Sequence, residues 1–246
     1  MATDWNAGTY DRIADPQARW GATVLDRLPL VGDERVLDAG CGSGRVTEAL
    51  AERLPRGSVV AVDASPAMLA EARRRLERFG DRIEFVTADL GRPLPIERPV
   101  DAILSTATFH WVLDHDALFA NLAAVLRPGG RLVAQCGGRG NIATLGEVLR
   151  GLGTDVTDVY FATAEETAAR LERSGFVDVE TWLTDEPTPF EPGEPFESFL
   201  ETVCLRPQLD RLPVEERAAF VHTVAERMPA PMLDYVRLNI VARRGG

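Results

Sequence analysis

Val36-Leu37-Asp38-Ala39-Gly40-Cys41-Gly42-Ser43-Gly44-Arg45 decides the fold of this chain. A short apolar run ends in an acid and then meets three glycines spaced two apart, the pattern of a buried strand turning into a helix beneath a ligand. The glycines remove side chains where backbone must approach a ligand closely, and the helix N-terminus behind them offers N–H groups to an anion. What that ligand is depends on the rest of the chain.

From Arg35 onward short β-rich runs alternate with amphipathic helical stretches, which predicts a mostly parallel sheet with helices on both faces. The strands are read at Arg35–Ala39, Ser58–Val62, Ile83–Ala88, Val100–Leu104, Arg131–Cys136 and Val177–Leu183, with a last β-rich run at Tyr235–Ala242. Ser65, Asp114 or Asp116, Asn141 and the Thr163/Glu166 pair are the expected helix caps between them. Four prolines, at 187, 189, 192 and 195, read as an extended connection. Two helical stripes follow: Phe196, Phe199, Leu200, Val203 and Cys204, then Val214, Ala218, Val221, Ala225 and Met228. They form a helical insert between the last two strands, placed to act as a lid. Upstream, Trp20, Val24, Leu25 and Leu28 repeat at helical spacing, and Gln17 lies three residues before Trp20 on the same face. An inward-pointing amide there needs a partner, either backbone or ligand. The expected division is an N-terminal helical segment over residues 1–30, a core over 31–183 and 235–246, and the insert over 184–234.

Composition narrows the possibilities. A chain of 246 residues, 45% hydrophobic and 26% charged, has the balance of an ordinary globular protein. Its net charge of −11 argues against a nucleic-acid partner, since phosphate backbones are met by clustered cations. All 27 basic residues are arginine, which reflects coding bias and not a phosphate site. Cys41, Cys136 and Cys204 lie far apart without metal-ligand spacing, and Met1–Trp5 carries no basic-then-apolar signal, so a cytoplasmic location and no metal are expected. No apolar run reaches the roughly 18 residues that cross a bilayer.

In open parallel sheets, ligands bind at the carboxyl ends of the strands near the point where strand order reverses. Asp38, Asp63, Asp89 and the segment Thr106–Trp111 all fall there. A pyrophosphate would be opposed by Asp38, and Arg45 stands where a dinucleotide fingerprint needs its third glycine. S-adenosylmethionine has no phosphate and carries an ammonium and a sulfonium, so acids become assets. Asp63 is placed to accept the ribose hydroxyls, and Asp89, with the N–H of Leu90, to meet the adenine edge.

These residues carry a resemblance. Val36–Gly44, Asp63-Ala64-Ser65-Pro66-Ala67-Met68-Leu69 and Leu126-Arg127-Pro128-Gly129-Gly130 resemble the signature segments of class I S-adenosylmethionine-dependent methyltransferases. The resemblance implies a Rossmann-like α/β fold, a seven-stranded sheet whose last strand is antiparallel beside the fifth. It also implies S-adenosyl-L-methionine as cofactor, held by Asp38, Gly40, Cys41, Gly42, Gly44, Asp63, Ala64, Met68, Ala88, Asp89, Leu90 and Thr106. Phe109-His110-Trp111-Val112, with Tyr10 and Gln17, is similar to the small-molecule carboxyl methyltransferases of the trans-aconitate and juvenile hormone acid type. That likeness implies O-methylation of a small-molecule carboxylate, with Tyr10, Gln17, His110 and Trp111 around the acceptor and Gln17 and Trp111 on its carboxylate.

A carboxylate is ionised at pH 7 and needs donors to aim it, whereas a phenol or alcohol needs a base. His110 is the histidine in position to be that base, so a phenol or hydroxyl acceptor stays open. A cofactor-binding protein without turnover is the alternative from another class. A carrier-protein acceptor is disfavoured by the acidic net charge, and oligomeric state has no sequence signal.

Overall fold

The computed structural model describes residues 15–246, of which 15–19 are described as backbone only. The chain begins with α1 (Asp15–Asp26), then runs β1 (Arg35–Ala39), α2 (Arg45–Glu52), β2 (Ser58–Asp63), α3 (Pro66–Leu76), β3 (Ile83–Thr87) and β4 (Val100–Thr106). A short turn of 3-10 helix at Phe109–Trp111 leads to α4 (His115–Val125), β5 (Leu126–Gly137), α5 (Ala143–Gly151), α6 (Ala164–Arg173) and β6 (Phe176–Pro189). The insert holds α7 (Glu194–Phe199), a wide helical turn at Leu200–Cys204, α8 (Arg206–Leu209) and α9 (Val214–Arg227), and β7 (Met232–Arg244) ends the fold.

All seven strands form one sheet in the order β3-β2-β1-β4-β5-β7-β6. β1 to β5 pair in parallel, and β7 runs antiparallel between β5 and β6. The Rossmann-like fold, the strand count and the antiparallel last strand are as expected. β1 and β2 are apolar on both faces because helices cover both sides of the sheet. Leu37, Ile103, Phe109, Phe119 and Leu122 pack on one face, and Val36, Leu50, Ala61, Leu69 and Leu104 on the other with Val24 and Leu25 of α1. Side chains alternate faces along a strand, so neighbours Val36 and Leu37 enter different cores.

A third core lies over the carboxyl ends of the strands. Phe196, Phe199, Leu200, Leu205, Val221 and Val224 of the insert meet Leu145 and Leu149 of α5, Tyr235 of β7 and Trp20 of α1. The insert and the N-terminal helix therefore share one apolar cluster.

Several local expectations hold and others are corrected. Ser65 Oγ accepts from Met68 N, Asp114 Oδ1 from Ala117 N, and Thr163 with Glu166 forms the capping box. Asn141 does not cap α5; its Oδ1 accepts from Val236 N at 3.1 Å, tying the loop after β5 to β7. Pro187 and Pro189 lie inside β6, opposite Asp234 and Met232, not in a connection. β6 is the edge strand, where a residue lacking an N–H is tolerated. The segment between the paired strands is accordingly 190–231, shorter than the expected 184–234. Val214 is 74% exposed, since α9 starts beyond the third core; its buried residues are Val221 and Val224, with Met228 buried just past its end. Among the described residues no helix is long and apolar enough to cross a membrane.

Phe199 is fully buried, with Phe190 4.4 Å away centroid to centroid. Phe199→Ala should cost about 3–5 kcal/mol, read as a lowered midpoint in denaturant unfolding.

Candidate active site

The strand order reverses between β1 and β4, and the glycine loop crosses this point. Each glycine there answers a different constraint. Gly40 has φ +85°, and a Cβ on it would lie 2.1 Å from the Thr108 side chain. Gly44, also at φ +85°, sits against Ala72 and Leu76 of α3. Gly42, at φ +53°, has no atom within 4 Å of its Cβ position, so its backbone opens onto free space. The loop is fastened on both sides. Gly40 N and Cys41 N donate to Val62 O of β2, while Thr108 Oγ1 lies 3.1 Å from Gly40 O and Ser105 Oγ donates to Ala39 O.

This stitching corrects one expectation. Gly42 N donates to Asp63 Oδ2 at 2.9 Å and Gly44 N to Cys41 O, so with Gly40 and Cys41 these loop N–H groups are consumed internally. An anion would find them already used. The Cys41 side chain is buried in the second core, and burial raises its thiol well above the ordinary range.

Three acids stand at successive strand ends. Asp38 is buried; Thr47 Oγ1 donates to its Oδ2 at 2.7 Å, and its Oδ1 has no partner among the described residues. Burial pushes its pKa up to about 7; the Thr47 hydrogen bond opposes this and Asp63 reinforces it. Asp63 is held rigidly, Oδ2 by Gly42 N and Oδ1 by Ser65 N at 2.8 Å. Its pKa is raised by burial against the pull of those N–H groups. Asp89, with its side chain 59% exposed, accepts from Gly91 N and faces Arg92. Ala88 N donates to Asp63 O, which ties the ends of β2 and β3. Met68 and Leu90 are buried, Ala64 is exposed, and Thr106 ends β4 half-buried.

On the other side of the reversal, the turn after β4 carries His110 and Trp111. Their rings lie 5.1 Å apart, and Phe161 stacks on His110 at 5.9 Å. Gly137 N at the end of β5 donates to His110 Nδ1 at 3.3 Å, which fixes the proton on Nε2. Burial lowers the pKa of this imidazole to about 3, with the Arg237 guanidinium and then His115 pushing the same way. His110 is thus a neutral hydrogen-bond donor at Nε2. Tyr10 lies outside the described residues. Gln17 falls in α1 one turn before Trp20, and its side chain is likewise outside them. The fold brings Asp38, the glycine loop, Asp63, Asp89 and the His110–Trp111 turn to one end of the sheet, as the sequence implies. Phe161 and Arg237 carry no mark in the sequence, and Trp20 stands out there for its place on an apolar helical face. Arg237 could have been found as the one cation within the β-rich run Tyr235–Ala242.

The arrangement fits S-adenosylmethionine. An open space above Gly42, an acid with an unpartnered buried oxygen and loop N–H groups already used all suit a cationic ligand and not a phosphate.

Comparisons with known proteins agree. A family model described as a methyltransferase domain matches residues 36–130. Trans-aconitate 2-methyltransferase of Methylobacterium nodulans is 33% identical, with 98% of each chain covered. The protein of that name from Variovorax paradoxus is 30% identical with the same coverage. Among solved structures, Haemonchus contortus phosphoethanolamine N-methyltransferase 2, in complex with phosphomonomethylethanolamine and S-adenosylhomocysteine, superposes with a TM-score of 0.68 at 20% identity. That alignment covers 98% of this chain and 57% of the larger protein.

Asp38 makes the site sensitive to pH. Its pKa is higher folded than unfolded, so between about pH 4 and 7 the folded state holds more protons and stability falls as pH rises. Thermal melts without cofactor should show that decline, amounting to no more than about 4 kcal/mol. Asp38→Asn should flatten it.

Proposed function

This chain belongs to the class I S-adenosylmethionine-dependent methyltransferases, and on that premise we propose that it methylates a carboxylate oxygen of a small-molecule acid. The observation that carries this reading is His110. Its Nδ1 is occupied by the Gly137 N–H, and a pKa near 3 leaves it no capacity to take a proton at neutral pH. A phenol or alcohol acceptor would require a base at this place. A carboxylate needs none, because it arrives ionised, becomes an ester and releases no proton.

When bound, the cofactor supplies an electrophilic methyl group on a positively charged sulfur. The remaining work belongs to this chain. Asp63, pinned by two backbone N–H groups, would accept the ribose hydroxyls without having to reorganise. Asp38 would stand near the ammonium of the amino-acid tail, with the Gly40 to Gly44 loop shaping its bed. Met68, Ala88 and Leu90 would wall the adenine, with Asp89 at its amino group, while Ala64 and Thr106 border the same cleft. On the acceptor side, His110 Nε2–H would donate to a carboxylate oxygen, together with Trp111 and Gln17, and so aim the other oxygen at the methyl group. Positioning and exclusion of water supply the acceleration in such a displacement. The N-terminal segment and the 190–231 insert, joined through the third core, would be the cover that excludes it. The trans-aconitate 2-methyltransferases at about 30% identity support a carboxylate acceptor.

Two measurements test this reading. Asp63→Asn should weaken cofactor binding by about 10- to 100-fold in titration calorimetry, through loss of charge-assisted hydrogen bonds. At saturating cofactor, kcat on a carboxylic acid should stay level from about pH 6 to 8. A limb of unit slope in that range would instead reveal a catalytic base and favour a hydroxyl acceptor.

A further inference from the structure

We propose that His115 is a positioning residue for methyl transfer: from the first turn of α4 it holds the turn that carries His110 and Trp111 in its working pose. The proposal rests on the acceptor lying against His110, as in the function proposed, and deepens it by naming what keeps His110 there. His115 is buried, and it acts through the backbone of that turn and not on the reacting atoms.

Its Nε2 lies 3.0 Å from Phe109 O, the carbonyl at the start of the turn. A carbonyl only accepts, so Nε2 carries the proton and donates. The same oxygen takes Val112 N at 3.0 Å, which closes the turn from its far end. The imidazole also meets the Tyr160 ring edge-on, 4.9 Å between centroids. Tyr160 N donates to His110 O at 2.8 Å, and the next residue, Phe161, is the ring stacked on His110. His115 therefore touches both segments that hold His110, the turn through Phe109 O and the neighbouring loop through Tyr160. Tyr160 is itself fixed by α6, since its hydroxyl donates to Glu166 Oε2 and accepts from Arg170 Nη2, both at 3.1 Å. The bond from Gly137 N to His110 Nδ1, at 3.3 Å, is near the long end for a hydrogen bond. A small shift of the turn would forfeit it, and with it the reason for the His110 proton to sit on Nε2.

The other nitrogen of His115 gives a second, independent reason. His115 Nδ1 is buried and has no partner among the described residues. A side chain that only filled space here would be cheaper as an apolar residue of similar size, because a bare polar atom in the interior is unfavourable. What the imidazole supplies that leucine cannot is the N–H at Phe109 O. Burial lowers the pKa of the ring, the Phe109 bond opposes this, Arg170 adds to it, and Asp116 and Asp114 pull the other way. Protonation would place an N–H on the unmatched Nδ1, so the neutral ring is the form that fits.

The test compares the full-length parent with His115→Leu, which fills the space without a donor, and His115→Gln, which returns an N–H near the place of Nε2. Nitrogen NMR of the imidazoles reads the pose directly: the His110 signal should move from the Nε2–H tautomer toward a mixture in His115→Leu and keep the parent pattern in His115→Gln. With trans-aconitate and a panel of other carboxylic acids at saturating S-adenosylmethionine, His115→Leu should lower kcat by about 10- to 100-fold and change KM by less than about threefold, the signature of misplacement after binding. His115→Gln should recover kcat to within about fivefold, and calorimetry should give both variants the parent's affinity for S-adenosylmethionine. Variants are compared at matched thermal melts. An unchanged kcat and His110 signal in folded His115→Leu would overturn the role, as would an equal loss in His115→Gln. If neither variant folds, the parent's own spectrum decides, because a His115 ring that is charged or protonated at Nδ1 at pH 7 could not make the bond to Phe109 as described. A displaced His110 signal in His115→Leu, with no carboxylic acid turned over by the parent, would uphold the hold on His110 and overturn the carboxylate acceptor.

Discussion

The loop between β1 and α2 has to pass between the ends of β2 and β4 in a gap with no room for a side chain at Gly40. This constraint governs the whole site. With Thr108 2.1 Å from where a Cβ would lie, the turn after β4 can close onto the loop, and its hydroxyl can reach Gly40 O. That contact sets where the following residues fall, and they are His110 and Trp111. On the opposite side, Val62 O takes both Gly40 N and Cys41 N, which brings Asp63 to Gly42. One backbone crossing therefore fixes the separation between the acids on one side of the cleft and the hydrogen-bond donors on the other.

The charge pattern follows the same division. Toward β2 and β3 stand carboxylates, Asp38 deeply buried and Asp63 locked by backbone N–H groups. Toward β5 and β7 lie a donor and a cation, His110 held neutral and Arg237 against the Trp20 ring. On the proposed function, a cationic donor molecule and an anionic acceptor would each meet the side of opposite sign, which would orient the pair before any chemistry occurs. The arrangement places polar groups where burial makes them expensive. Asp38 carries that expense as a pKa near 7, and Trp20 as an N–H without an acceptor.

Above the cleft, a buried polar chain couples the covering elements to the sheet. Arg27, just past α1, donates to Asn239 Oδ1, which also accepts from Gln135 Nε2; Gln135 in turn faces Arg237. Asn239 Nδ2 reaches Thr184 Oγ1 on β6. The helix that carries Gln17 and Trp20 is thereby registered against β5, β6 and β7, and the third core adds the insert to the same unit. In β7, Tyr235, Arg237 and Asn239 alternate with Val236, Leu238 and Ile240, so the sequence reads as a half-solvated strand. Only the packing of α1 and the insert reveals that the polar face is buried.

Much of this protein was legible in the chain itself. The glycine spacing, Asp38, the acids at successive strand ends and the caps at Ser65, Asp114 and Thr163 are local signals, so they determined the sheet, the switch point and the class of cofactor. Pro187 and Pro189 misled because proline marks a break in isolation, yet it is tolerated on an edge strand, and edge position is a property of the whole sheet. The chemistry of His110 could not be read from sequence either. Its proton is placed by Gly137, 27 residues away, and its basicity is suppressed by burial and by Arg237, 127 positions on. The sequence by itself determined the fold and the class of cofactor, because close backbone approach at the glycine loop leaves a local signature. Tertiary structure alone decided the protonation of His110, because it depends on residues that meet only when the sheet is assembled.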